Sequence, residues 1–184
     1  MKKIFILFSV LAAGFISCEG DPGPQGPAGY DGVDAEMPAI FEVDNVNYDY
    51  EADNNLWSTL LTYSDFTDFE VFENDVVLVY RLDSTVELND GSTADAWSLM
   101  PQNFFLDKGT IQYVYNHTFL DTELFIDGDH NLADLDPGFT DNQVIRVAII
   151  PALMAKDFNG DYSNFSDVMG ALKLSEADVM KVQM

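Results

Sequence analysis

Asp75-Val-Val-Leu-Val-Tyr-Arg-Leu-Asp83 is the stretch on which the fold turns. In an extended chain Val76, Leu78, Tyr80 and Leu82 fall on one side, and Asp75, Val77, Val79, Arg81 and Asp83 on the other. A helical turn would scatter both sets, so the period of two predicts a strand with one buried face and one partly covered face. The stretch 110–119 repeats the logic, with Ile111, Tyr113, Tyr115, His117 and Phe119 aligned. Further strands are expected over 40–46, 56–63, 97–106, 123–127 and 143–150. Between them lie Asn89-Asp90-Gly91, Asp107-Lys108-Gly109 and Asp127-Gly128-Asp129, rich in residues that accept turn conformations. Asp107-Lys108-Gly109 has the length of a tight hairpin loop.

Strands at this spacing with no long helix between them predict a mainly β fold. The expected architecture is an antiparallel β-sandwich, Ig-like or a related Greek key. No internal sequence repeat points to a propeller or solenoid. The tail differs. Ser163 or Ser166 can cap a short helix running through Ala171, and Ser175-Glu-Ala-Asp178 has the spacing of a capping box opening another. The expected domain plan is a sandwich over 39–155 and a short helical C-terminal segment over 156–184 that closes one end of it.

The first residues read as address and tether. Lys2 and Lys3 precede an apolar run, Ile4 to Ile16, too short to span about 30 Å of hydrocarbon as a helix, which makes 1–17 a secretory signal peptide. Phe15-Ile16-Ser17-Cys18 resembles a bacterial lipobox, with a small residue before the cysteine that receives lipid. Phe15 and Ile16 depart from the commoner leucine-then-small form. Cys18 is the only cysteine, so it has no partner for an internal disulfide. Acylation there implies a stable anchor, since two or three chains hold where one does not. The tether is 18–38, in which Gly20, Gly23, Gly26, Gly29 and Gly32 keep a strict spacing of three with Pro22, Pro24 and Pro27 between them. Collagen needs that spacing because only glycine fits at its axis, but five triplets suit a single polyproline-like spacer extending about 3.1 Å per residue.

Together these features resemble lipoproteins of the Bacteroidota in which a brief collagen-like stretch separates the lipid from a β-rich domain. Val79-Tyr-Arg-Leu82, Met100-Pro101-Gln102 and the segment from Arg146 to Ala152 carry the resemblance through the rest of the chain. It implies an extracytoplasmic protein on the cell envelope, at the outer membrane; a protein or glycan there is the expected partner. It implies no activity. Glu19 and Asp21 are reminiscent of the surface-export signals of such lipoproteins, and Asp83-Ser84-Thr85 of their O-glycosylation acceptor pattern.

Charge narrows the partners. The chain has 32 acidic and 8 basic residues, a net of −24, and loss of 1–17 leaves 32 against 6, a net of −26. A field of that sign repels phosphate backbones, which excludes nucleic acid. It favours cations, and calcium is the cofactor to consider. Asp157, Asn159, Asp161, Ser163 and Asp167 place oxygens at alternating positions, as a calcium loop does, although Tyr162 stands where such loops need glycine and Asp167 comes one residue early. A polar linker into a capped helix uses the same residues. Asp127, Asp129, Asn131 and Asp134 offer a weaker version of the pattern.

His117 and His130 are the only histidines, and no G-x-S-x-G, H-E-x-x-H or C-x-x-C occurs. His117 fits a sheet-edge or core histidine better than a base. Arg81 and Arg146, the only arginines, interrupt apolar strands and are expected to fork onto carboxylates that fix strand packing. Trp57 and Trp97 fit either a core or a sugar-stacking platform. The sequence therefore points to a non-catalytic binding or structural-interaction domain, with a calcium-assisted glycan-binding module and a hydrolase or its accessory subunit as the alternatives.

Overall fold

The stretch that begins at Asp75 is a strand and runs further than its clean alternation, Val76–Glu87 (β4). A computed structural model describes residues 37–66 and 70–184. The signal peptide, Cys18, the five tether glycines and most of 18–38 lie outside the described residues. The strands belong to one compact unit, Ala35–Met184. In the first sheet β4 lies between β5 (Thr93–Leu99) and β9 (Gln143–Ile150), followed by β1 (Ala39–Val46) and β10 (Met180–Gln183), in the order β10-β1-β9-β4-β5. The second sheet has the order β2-β3-β8-β7-β6, from Asp49–Glu51 (β2), Leu56–Thr62 (β3), Gln102–Leu106 (β6), Gly109–His117 (β7) and Asp121–Gly128 (β8). Every pairing is antiparallel except β1 with β10. The hairpin-linked β6, β7 and β8 with the sequence-distant β3 beside β8 make a Greek-key arrangement.

The two sheets pack as a sandwich because each presents one apolar parity inward. Phe41, Val43, Val77, Val79, Ile145, Val147 and Ile149 of the first sheet meet Leu61, Ile111, Tyr113, Leu124 and Ile126 of the second. The other parity of the first sheet, Ile40, Leu78, Tyr80, Ala148 and Ile150, is buried too. Its cover is Phe165, Val168, Met169 and Leu172 of α3 (Phe165–Leu172), with Val179 beyond it. Each such side chain contributes about 1.5–3 kcal/mol on burial. Two shorter helices, α1 (Pro137–Thr140) and α2 (Ala152–Lys156), flank β9.

Several expectations are corrected. The stretch 97–106 is two strands in different sheets, because Pro101 has no N–H for a ladder and the chain crosses over at the cis Met100-Pro101 bond. The helical part covers a face of the sandwich rather than closing an end. Helix α3 is capped by Asn164, whose side chain accepts from the Ser166 N–H, and by neither serine. Ser175 and Asp178 do form both halves of a capping box, but the helix stops after a single 3-10 turn, Glu176–Asp178. The chain then becomes β10, so the sandwich extends through the segment expected to be helical. The hairpin at Asp107-Lys108 forms as expected, with Leu106 opposite Gly109. Gly109 has φ +149°, a conformation that residues with a Cβ rarely adopt, and a Cβ there would also press on the Asp129 carboxylate, so the position favours glycine.

Candidate functional site

Arg146 organises the helix-covered face of the first sheet. Its position on β9 turns its side chain outward between Ile145 and Val147, towards α3, where it is almost fully buried. A bare guanidinium there would cost several kcal/mol, and the structure surrounds it with acceptors. Nε donates to Glu42 Oε2 of β1 at 2.7 Å, while Nη1 and Nη2 fork onto Glu176 Oε1 and Oε2 at 3.0 and 2.6 Å. Glu42 Oε1 accepts from Lys181 of β10 at 2.8 Å, and that carboxylate holds the lysine above its ordinary pKa. Exposure separates the partners: the Glu42 side chain is 6 % exposed and that of Glu176 67 %. The rings of Trp97 and Phe165 flank the cation, with Cζ 4.0 and 4.8 Å from their centroids.

A cleft of about 810 Å³ opens beside this hub. One wall is β5, contributing Thr93, Asp95 and Trp97; another is the start of α3; the third is the Ser175-Glu176 turn. Residues 93, 95 and 97 share the α3 side of β5 by strand alternation, and opposite them β4 carries a bulge, where the register shifts between Leu82 and Ser84. Asp83 is the extra residue and turns to the inner side, where it accepts from Arg81 Nη1 at 2.8 Å, from the Ser98 hydroxyl and from Gln102 Nε2. Beyond the bulge β4 and β5 continue as a projecting two-stranded arm, with Ser84 and Thr85 exposed on it. The turn wall is fixed by the end of α3. Leu174 N–H bonds to Met169 O and Lys173 N–H to Gly170 O, a Schellman motif in which Lys173 has φ +57°.

Both arginines thus meet carboxylates, but only Arg146 forks onto one, Glu176, while Arg81 gives Asp83 a single bond. Arg146 joins three sequence-distant segments. Arg81 pairs with Asp83 and Gln143 and lies 4.8 Å from the Tyr113 ring centroid.

The calcium-loop residues are engaged locally. Asp161 Oδ1 accepts from the N–H and hydroxyl of Ser163, which hold its carboxyl below the usual range, and Asn159 Nδ2 donates to Asp157 O. Asp167 sits in the first turn of α3. Phe158 and Tyr162 stack at 4.3 Å, and Tyr80 donates its hydroxyl to Tyr162 O, which pins the loop to the sheet. Among the described residues no three His, Cys, Asp or Glu side chains gather as metal ligands would.

The histidines lie apart. His117, at the exposed end of β7, stacks on Tyr115. His130 borders a second cleft of about 730 Å³ with Lys108, Asp134 and Asp136. Its Nδ1 is 3.3 Å from Asp129 Oδ1, and that carboxyl is held below its usual range first by the Thr110 N–H and then by His130. Among the described residues no serine, threonine or cysteine lines this cleft. Trp57 is a structural residue, its Nε1 donating to Leu132 O at 2.8 Å.

Sequence reasoning identified Arg146 and Trp97 but not Glu42 and Glu176 as their company, nor the cleft itself. The local signal at Glu176 was its place in the capping box, which says nothing about a distant arginine. Among the described residues no helix is long and apolar enough to cross a membrane. In comparisons with known proteins no family model, no curated protein and no solved structure matches this chain.

Proposed function

We propose that this chain is an exported lipoprotein, held to the outer membrane of the cell envelope through acyl chains on Cys18, whose β domain is a binding module and not an enzyme. The observation that carries the binding reading is the state of the acids in the Trp97 cleft. Both oxygens of Glu176 are taken by Arg146, and Asp95 Oδ1 accepts from the Thr85 hydroxyl at 2.8 Å. Acid–base catalysis needs a group free to give or take a proton at the reacting atom. Carboxylates held in fixed bonds instead suit the recognition of a ligand's hydroxyls. The cleft also has the 300–1,000 Å³ scale of small-ligand sites. Anchoring rests on the position of Cys18 at the end of the apolar run and on the glycine–proline triplets that follow it.

Labelling cells with an alkyne analogue of palmitate tests the anchor. The wild-type chain is expected to carry label and fractionate with membranes, and Cys18→Ser to lose both. Persistent labelling of Cys18→Ser, or an unlabelled wild-type chain, would overturn the reading.

A further inference from the structure

We infer that the cleft beside Trp97 takes a neutral oligosaccharide, a reading that rests on the binding-module proposal above. The first step is the platform. Trp97 is half-buried and lines the cleft while Arg146 lies 4.0 Å from its ring centroid and Phe165 6.0 Å away. Held from behind, the indole loses little freedom when a ligand lands, which is the advantage of preorganisation. The C–H face of a pyranose is apolar and of a size to pack on such a ring.

The second step is the rim. Thr93, Asp95, Ser163, Ser166 and Ser175 surround the platform with hydroxyls and a carboxylate. Every sugar hydroxyl is donor and acceptor at once: Ser163 and Ser175, whose protons go to Asp161 and Asp178, offer acceptors, and the Thr93 and Ser166 hydroxyls can also donate. A carboxylate accepting from hydroxyls forms the stronger, charge-assisted bonds.

The third step is charge, which separates ligand classes. Among the described residues the lining holds Asp95 and Glu176 and no lysine, arginine or histidine, on a chain of net charge −24. Phosphorylated, sulfated and uronic saccharides are therefore repelled. Arg146 offers no relief, since its donors are committed to Glu42 and Glu176. A cationic ligand meets the opposite difficulty, because one face of the indole already carries the Arg146 guanidinium, whose charge opposes a second cation on the same ring. A neutral polyol satisfies all three conditions. An extended peptide would be held by main-chain pairing along the edge of β5, and would not need this rim of side-chain hydroxyls.

The test uses the full chain in a zwitterionic detergent free of sugar headgroups, with Trp57→Phe so that Trp97 alone reports. Its fluorescence is titrated with neutral gluco-, xylo-, manno-, galacto- and fructo-oligosaccharides, and with a galacturonate trimer. The expected result is a saturable change with at least one neutral sugar. Asp95→Ala should weaken it about tenfold, the loss of one charge-assisted bond, and the cleft-filling Ser166→Tyr should abolish it with the circular dichroism unchanged. No response across the neutral panel, tighter binding of the galacturonate, or affinities unaltered in both variants would overturn the inference. Silence from the sugars with Cys18 still acylated removes the inference and leaves the envelope reading standing. Mass spectrometry of the sugar after incubation separates the other case, since cleavage would remove the non-catalytic reading while retaining the saccharide cleft.

Discussion

Replacing Arg146 with methionine isolates what the buried hub contributes. The methionine keeps an unbranched chain between Trp97 and Phe165 but leaves Glu42, 6 % exposed, without its guanidinium. Lys181 remains on Glu42 Oε1, but its side chain is 58 % exposed and compensates weakly. Stranding one member of a buried pair costs about 3–5 kcal/mol, and the two cation–π contacts add roughly 0.5–1 kcal/mol each. Allowing up to about 1 kcal/mol for the remaining lysine, the expected loss is about 3–7 kcal/mol, or a fall in Tm of roughly 6–28 °C for a domain of this size. Glu176→Gln, at a carboxylate 67 % exposed, should cost about 1 kcal/mol or less. Adding Glu42→Leu to Arg146→Met should recover most of the loss, because the stranded carboxylate, and not the missing attraction, is the main expense. Urea unfolding followed by far-UV circular dichroism measures all four chains. A loss below 1 kcal/mol for Arg146→Met, or no recovery in the double variant, would refute the reasoning.

Burial raises the pKa of Tyr48, Tyr63, Tyr80, Tyr113 and Tyr115, to about 12 for Tyr63 and Tyr113. The unfolded chain releases these protons near pH 10 and the folded chain holds them longer, so the stability present below pH 10 falls as pH rises from about 10 to 12. Absorbance at 295 nm should show a late-titrating set that merges with unfolding; one midpoint near 10 in folded protein would contradict the burial. Lys173 occupies a left-handed position that glycine fills at no steric cost, so Lys173→Gly should stabilise by about 1 kcal/mol, read as a Tm rise of roughly 2–4 °C. Calcium should leave the Tm unchanged, because Asp161 and Asn159 are committed to bonds within their own loop; a rise that Asp161→Ala abolishes would reverse that assignment.

The strands were legible because burial acts on alternate residues. Where Val76 to Tyr80 is apolar on both parities, the sequence already signals that both faces are covered. What covers the second face was partly legible in the apolar positions of the tail, and it is α3 that supplies them. Strand β10 was hidden because Met180 to Gln183 is short and follows a helix-start signal, and pairing with β1 overrode that local preference. The turn at Pro101 was missed because hydrophobicity continues on both sides of it, and only the missing N–H marks the break. The site was least legible of all. Two arginines among 32 acids are bound to find carboxylates, but Glu42 and Glu176 lie 104 and 30 residues from Arg146. Only the β1–β9 register and the arrival of the tail bring them together. The cleft likewise arises only where β5, the start of α3 and the Ser175-Glu176 turn meet, which no single stretch announces.

The two tryptophans allow the most direct test of where this protein binds. In a proton–nitrogen correlation spectrum of the isotopically labelled chain each gives one indole signal in a sparse region, one from the Trp97 cleft and one from Trp57, bonded to Leu132 O in the other sheet. On titration with cellotetraose, xylotetraose and mannotetraose, the Trp97 signal is predicted to shift together with the amides of residues 163–166, while the Trp57 signal stays in place. Shifts confined to Trp57 and the His130 cleft, with Trp97 unmoved, would contradict the assignment of the binding site.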